Sequence, residues 1–160
     1  LWSPPSGAQA ASNLEQVIDS RGVVTDAWTV DSGASSRVLA ARLGAGGWSK
    51  PQVVIDAPVG DPYLTVSMVV GPADEVVIAA GAEGAAGVRF SAVRFSAGAW
   101  SPATTLGDYP DADSKVRHVY GLSAIADSTG VSVLWQIQPN DSHATTFVAR
   151  GLPSARRAGA

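Results

Sequence analysis

The residues best suited to ligand chemistry gather in one polar segment, residues 107–120. Their carboxylates, guanidinium and imidazole supply hydrogen-bond donors and acceptors, and a tyrosine ring supplies a face for stacking on a sugar. A shorter segment, residues 56–63, occupies the corresponding place earlier in the chain. We predict that loops in these segments bind a ligand, the alternative being that they are solvated polar loops. The candidate residues are Asp61, Tyr63, Asp108, Tyr109, Asp111, Asp113, Arg117 and His118.

Motifs for catalysis and metal binding are weaker. The aspartates of residues 108–113 lack the oxygen spacing and the glycine of an EF-hand loop, and the two histidines match no zinc-ligand pattern. A serine-nucleophile elbow, a phosphate loop and a dinucleotide fingerprint are missing from the sequence. We therefore expect no metal, no cofactor and no catalysis. The alternative is a glycoside hydrolase or lyase that uses two of the loop aspartates as acid and base.

A repeated phrase identifies the elements that must position these residues. Trp-Ser followed by proline occurs at residues 2–4, 48–51 and 100–102, so the phrase recurs after 46 and then 52 residues. The segment from Arg37 to Leu43 aligns with the segment from Arg89 to Phe95, with two arginines in register. A period of this length, with strand-like sequence between the repeated Trp-Ser phrases, predicts a β-propeller or a related all-β array.

Alternating apolar residues, as in the segment 131–137, indicate short strands, and glycine and proline separate them. We predict three units of antiparallel strands over residues 1–150, followed by a tail or linker at 151–160. The first unit (14–55) comprises strands 14–19, 22–30, 36–43 and 47–55. The second (63–106) comprises 63–70, 75–81, 87–95 and 99–106. The third (119–150) comprises only 119–126, 130–137 and 143–150.

The third unit lacks a fourth strand, and residues 1–5 carry the fourth-strand phrase without three strands ahead of it. We expect this N-terminal strand to complete the third unit, which would remove an exposed sheet edge. Three blades fall below the four to eight that propellers use, so the chain is expected to form half of a six-bladed ring. The other half would come from a second copy, giving a homodimer, or from the remainder of a longer propeller chain.

The repeated tryptophans and arginines have two interpretations each. Tryptophans at one repeat position (Trp2, Trp48 and Trp100) are predicted to pack between blades, with sugar stacking as the alternative. The arginines in register are predicted to form salt bridges or to pack their aliphatic stems, with an anion site as the alternative. These arginines are Arg37, Arg42, Arg89 and Arg94.

Composition excludes several classes of partner. A formal net charge of −3 with scattered arginines argues against nucleic-acid binding, and no apolar run is long enough to cross a bilayer. The absence of cysteine leaves the redox compartment open. Abundant alanine, glycine and arginine with few lysines favour a bacterial source, and we expect a secreted or cell-surface protein.

Trp48-Ser-Lys-Pro51, which ends a unit, and Asp19-Ser-Arg-Gly22, which turns the chain before an aromatic strand, resemble motifs of the sialidase-like six-bladed propeller repeats of secreted bacterial proteins. The sialidase Asp-box, Ser-x-Asp-x-Gly-x-x-Trp, does not occur in the chain. In architecture the chain is also similar to small fucose-binding propeller lectins, in which short chains assemble a six-bladed ring. The resemblance implies a propeller scaffold. Because the scaffold signal is strong and the catalytic motifs are weak, we expect its top-face loops to bind a carbohydrate or a protein, the alternative being a structural part of a secreted or surface assembly.

Overall fold

The computed structural model describes residues 12–31, 35–57, 63–84, 87–110, 116–139 and 146–153, and every regular element in these ranges is a β-strand. The first sheet contains β1 (Ser12–Ile18), β2 (Val24–Asp31), β3 (Ser36–Gly44), β4 (Gly47–Trp48) and β5 (Gln52–Asp56). The middle sheet contains β6 (Tyr63–Val70), β7 (Val76–Gly84), β8 (Gly87–Ser96), β9 (Ala99–Trp100) and β10 (Thr104–Pro110). The third sheet contains β11 (Val116–Asp127), β12 (Gly130–Pro139) and β13 (Thr146–Pro153).

All pairings are antiparallel, and each sheet is a meander in which neighbours in sequence are neighbours in space. In the first two sheets a short strand and a longer one share the outer position, as β4 and β5 on β3 and as β9 and β10 on β8. The prediction of an all-β chain with three antiparallel units is confirmed. Residues 1–5, and with them the predicted fourth strand of the third sheet, lie outside the described residues.

Several strands extend beyond their predicted ends, among them β10 and β13. β10 runs to Pro110 rather than ending near residue 106, because Asp108, Tyr109 and Pro110 continue the register with β8. β13 reaches Pro153, so the first residues of the predicted tail belong to the third sheet.

The three sheets stack face to face, and a hydrophobic core fills each of the two junctions. Between the first and middle sheets, buried side chains such as Ala27 and Val38 meet Val76 and Ile78. Between the middle and third sheets, Phe90 and Val77 meet residues such as Val133. Successive residues of β7 therefore face opposite cores, which explains why the segment 76–80 is apolar at every position.

The innermost strands of the three sheets lie next to one another, with β6 in contact with both β1 and β11. A side-chain hydrogen bond from the amide of Ala124 to the hydroxyl of Ser67 joins β11 to β6 at 3.0 Å. At the opposite junction, the amide and hydroxyl of Ser20 donate to the carboxylate of Asp74 at 3.2 and 2.6 Å. Polar contacts thus link the sheets at both junctions, beside the apolar cores that fill them.

The Trp-Ser phrase proves to have a backbone function as well as a packing function. The Ser101 hydroxyl accepts a hydrogen bond from the amide of Arg94 at 3.0 Å, and the Ser101 amide donates to the Arg94 carbonyl at 2.8 Å. Ser49 makes the same two bonds to Arg42, with the same distances. The serine therefore holds the outer strand on its neighbour where the proline that follows cannot donate to the ladder.

Candidate ligand-binding site

Each meander turns tightly at one end of the stack, which we call the hairpin end, defined by the turns at residues 19–23, 71–75 and 128–129. The opposite end, which we call the loop end, carries the strand termini that flank residues 58–62, 111–115 and 140–145. Five of the eight predicted site residues lie in strands near the loop end. Tyr63 begins β6, Asp108 and Tyr109 lie near the end of β10, and Arg117 and His118 follow the first residue of β11.

The strand register relates two of these residues directly. Tyr63 pairs with Glu83, Glu83 with Val88, and Val88 with Tyr109, so the two tyrosines terminate one row across the middle sheet. Asp61, Asp111 and Asp113 lie outside the described residues. The sequence therefore located one end of the stack, although it treated as loop several positions that the structure places in strands.

Asp108 forms part of the scaffold. Its carboxylate accepts hydrogen bonds from Nη2 and Nε of Arg89 at 3.1 and 3.4 Å, and both side chains remain about half exposed. Arg37 and Asp56 form the same pair in the first sheet, with 3.1 Å between Nε and Oδ1. Because the pair repeats, a ligand that used Asp108 would share the carboxylate with Arg89.

Tyr109 belongs to an aromatic cluster that joins the middle sheet to the third. Its ring meets the edge of Phe90 at 6.2 Å, and Phe90 stacks on Trp135 at 4.8 Å between centroids. The indole of Trp135 donates a hydrogen bond to the Tyr109 hydroxyl at 3.3 Å. A Cβ at Gly107 would lie only 3.1 Å from both the Trp135 and Tyr109 rings, so glycine permits this close packing. Tyr109 thus packs a sheet junction and lies partly buried near the loop end.

A cavity of about 310 Å³ lies between the outer part of the middle sheet and the end of β13. Arg94, Ser96, Thr104 and Leu152 are among the residues that line it. Among the described residues, the buried Nε of Arg94 has no hydrogen-bond partner. A guanidinium with hydroxyls beside it can bind a carboxylate or another small anion.

The repeat explains why this cavity exists. Arg42, the counterpart of Arg94, lies over the ring of Phe95 at 4.0 Å and donates from Nη2 to the Asp19 carboxylate at 3.0 Å. Leu152 takes the place of Phe95 in the third sheet, since each pairs with the first buried valine after the hairpin. The smaller side chain covers Arg94 less completely than a phenylalanine would. Sequence reasoning missed the site because it treated both arginines as repeat positions and did not align β13 with β8.

Asp19 anchors the hairpin end of the first sheet. Its fully buried carboxylate accepts hydrogen bonds from the side chains of Arg21 and Arg42 at 2.7 and 3.0 Å, and from the amides of Arg21 and Val23, both at 3.0 Å. Burial acts to raise the pKa of Asp19, but the hydrogen bonds from Arg21 and Val23 and the charge of Arg21 together hold that pKa below its ordinary value. The predicted salt-bridge role is confirmed for Arg37, Arg42 and Arg89.

The middle sheet supplies its hairpin carboxylate from a different position. Gly71 is the counterpart of Asp19, and a Cβ built on it would lie 2.5 Å from the carboxyl carbon of Glu75. Glu75 is buried, and its Oε2 accepts a hydrogen bond from the amide of Ala73 at 2.8 Å, as Asp19 does from the amide of Arg21. The Glu75 carboxylate therefore takes the place of the missing aspartate.

In the part of the chain that the structure describes, no group of three or more His, Cys, Asp or Glu side chains is arranged to hold a metal ion. Over the same residues, no helix has the length and hydropathy needed to span a bilayer. Comparison with protein-family models and with curated proteins gives no match for this chain.

Proposed function

We propose that the chain forms three blades of a β-propeller and serves as a non-catalytic binding module whose loop end binds a carbohydrate. One observation carries the proposal: three antiparallel meanders stack face to face, with their innermost strands in contact. Radial stacking of this kind is the arrangement of propeller blades, in which loops on a fixed scaffold carry binding. A secreted or cell-surface bacterial location, as the sequence predicts, fits such a module.

The chemistry near the loop end supports a sugar ligand more than a reaction. Tyr63 and Tyr109 terminate one row of the middle sheet, and Asp108 offers carboxylate oxygens beside the Arg89 guanidinium. Aromatic faces and paired polar groups are the usual means of holding a pyranose. The hydrolase or lyase alternative requires two opposed carboxyl groups, and Asp108, the one described residue among its candidates, is paired with Arg89.

Glycan-array binding followed by calorimetry tests the proposal. Tyr63→Ala and His118→Ala are expected to weaken binding of an array hit about threefold to tenfold, the loss of one stacking or polar contact. Tyr109→Phe keeps the ring that packs on Phe90 and tests the hydroxyl alone. Ser128→Ala, an exposed change at the hairpin end, is the matched control and should leave affinity unchanged.

Circular dichroism and a thermal melt of each variant confirm that the fold is retained. If no glycan binds, or if the loop-end variants bind as tightly as the Ser128 control, the proposal is wrong. Protein binding at the same end would then be examined as the remaining alternative.

A further inference from the structure

The outer face of the first sheet carries an apolar patch beside the hydrogen-bonded side chains of Gln16 and Asp26, and no other described residue covers it. Ile18, which is 60% exposed, and Trp48, which is 51% exposed, lie on this face together with the half-buried Val24, Trp28 and Leu43. A contiguous apolar surface of this kind on a folded protein marks an interaction site. We call it the open face.

The repeat shows what kind of surface should cover the open face. The counterpart of each residue 52 positions later lies on the face that the middle sheet packs against the first sheet. Val70 and Trp100, the counterparts of Ile18 and Trp48, are packed against that core, and Val76, the counterpart of Val24, is fully buried. The open face is therefore equivalent in position to one half of an interface already present in the molecule, with Gln16 and Asp26 where the middle sheet has the buried Met68 and Ile78.

The other half exists elsewhere on the chain. The outer face of the third sheet carries Ile125, which is 52% exposed, and Leu134. Ile125 occupies the position of Val17 and Val69, which pack against the two cores from the first and middle sheets. This face is thus equivalent to the one that the first sheet turns towards the middle sheet, and it is the complement that the open face lacks.

We propose that the open face of the first sheet packs on the outer face of the third sheet of a second copy, and reciprocally, so that two chains close a six-bladed ring. The proposal rests on the propeller scaffold of the proposed function but not on its ligand. Each junction would repeat the contact between the first and middle sheets, and Ile18 would approach Ile125 of the second copy as Val70 approaches the core beside Val17. Two such junctions related by a twofold axis leave neither face uncovered.

Light scattering coupled to size-exclusion chromatography of the 160-residue chain tests the assembly. The wild type is expected at twice the chain mass of 16.3 kDa. Ile18→Lys and Ile125→Glu should each raise the dimer dissociation constant at least about 100-fold, because each buries an unpaired charge at both junctions. The double variant, which brings lysine against glutamate across the junction, should recover most of the dimer.

Thr105→Lys is the matched control, since this exposed residue lies on the middle sheet, both of whose faces are already packed. A monomeric wild type, a dimer that survives Ile18→Lys, or insensitivity to Ile125→Glu would each overturn the proposal. A monomer that still binds a glycan would refute the interface alone, whereas a dimer that binds no ligand would refute the proposed function alone.

Discussion

The first and middle sheets place a buried carboxylate at the same site of their hairpins, but from different positions in the sequence, and this difference leads to a prediction. The first sheet has Asp19 and Val23 where the middle sheet has Gly71 and Glu75, and each pair places one carboxylate at the same site. The double substitution Gly71→Asp with Glu75→Val therefore rebuilds in the middle sheet the arrangement of the first. We expect it to restore most of the stability that either single substitution removes.

The expected magnitudes follow from the contacts. Glu75→Val leaves the Ala73 amide without its acceptor, which costs about 1–3 kcal/mol. Gly71→Asp alone forces a Cβ to 2.5 Å from the Glu75 carboxyl carbon, and overpacking of this kind costs about 1–3 kcal/mol before any repulsion between the two carboxylates. The double variant should lie within about 1 kcal/mol of wild type, so the coupling free energy is about 3 kcal/mol.

Urea unfolding at pH 7, followed by tryptophan fluorescence, measures these free energies for the four proteins of the cycle. Asp56→Asn provides the control, because it breaks an exposed ion pair and should change stability by only about 0–1 kcal/mol. The reasoning is refuted if the double variant loses as much free energy as the two single variants combined.

Three further predictions concern the junctions and the sheet edge. Asp19→Asn should lower the unfolding free energy by about 3 kcal/mol at pH 7, since it leaves the nearly buried Arg42 without its counter-charge. The pKa of Asp19 is lower in the folded than in the unfolded protein, so its contribution to the free energy of unfolding is complete above the unfolded pKa of about 3.9 and disappears as pH falls through the folded pKa. In urea titrations from pH 2 to 7, the free energy of unfolding of the variant should therefore fall less steeply towards acid pH than that of the wild type. An equal fall in both proteins would contradict this prediction. Leu152→Phe should fill the cavity, place a ring near Arg94 and stabilise the chain by about 0.5–1 kcal/mol, whereas a lower melting temperature would show that the site has no room. Deletion of residues 1–5 should expose the edge of β13 and promote aggregation in light scattering, and an equally stable, monodisperse product would count against completion of the third sheet by the N-terminus.

Much of the fold could be predicted from the sequence, because its units repeat. A two-residue alternation predicts strands directly, and glycine with aspartate or serine marks the turns between them, so the number and order of strands could be predicted from local patterns. The pairing of Arg37 and Arg89 with carboxylates was also predictable in kind, because strict register implies a structural role. Their partners, Asp56 and Asp108, were not predictable, since cross-strand register depends on irregularities such as the one between Thr105 and Gly107.

The candidate site could likewise be predicted only in part. The sequence identified polar and aromatic residues, and the five of them that the structure describes lie in strands near one end of the stack, because antiparallel meanders bring alternate connections to the same end. It could not show that Tyr109 packs against Phe90 and Trp135, which lie on other strands, nor that Arg94 borders a cavity. Both features arise from contacts between sheets, and no periodicity within one strand reports them.

By itself, the sequence determined that this chain forms three units of antiparallel strands, with tryptophan and arginine at equivalent positions of the first two units. Only the tertiary structure decided which copy of an equivalent residue is covered: Trp100 packs in a core while Trp48 stays half exposed, although both occupy one place in the repeat. The physical reason is that burial depends on the neighbouring sheet and not on the strand itself. Equivalent residues therefore differ in exposure when one of them lies on the outer face of the first or third sheet. These outer faces are the surfaces on which we expect assembly to occur.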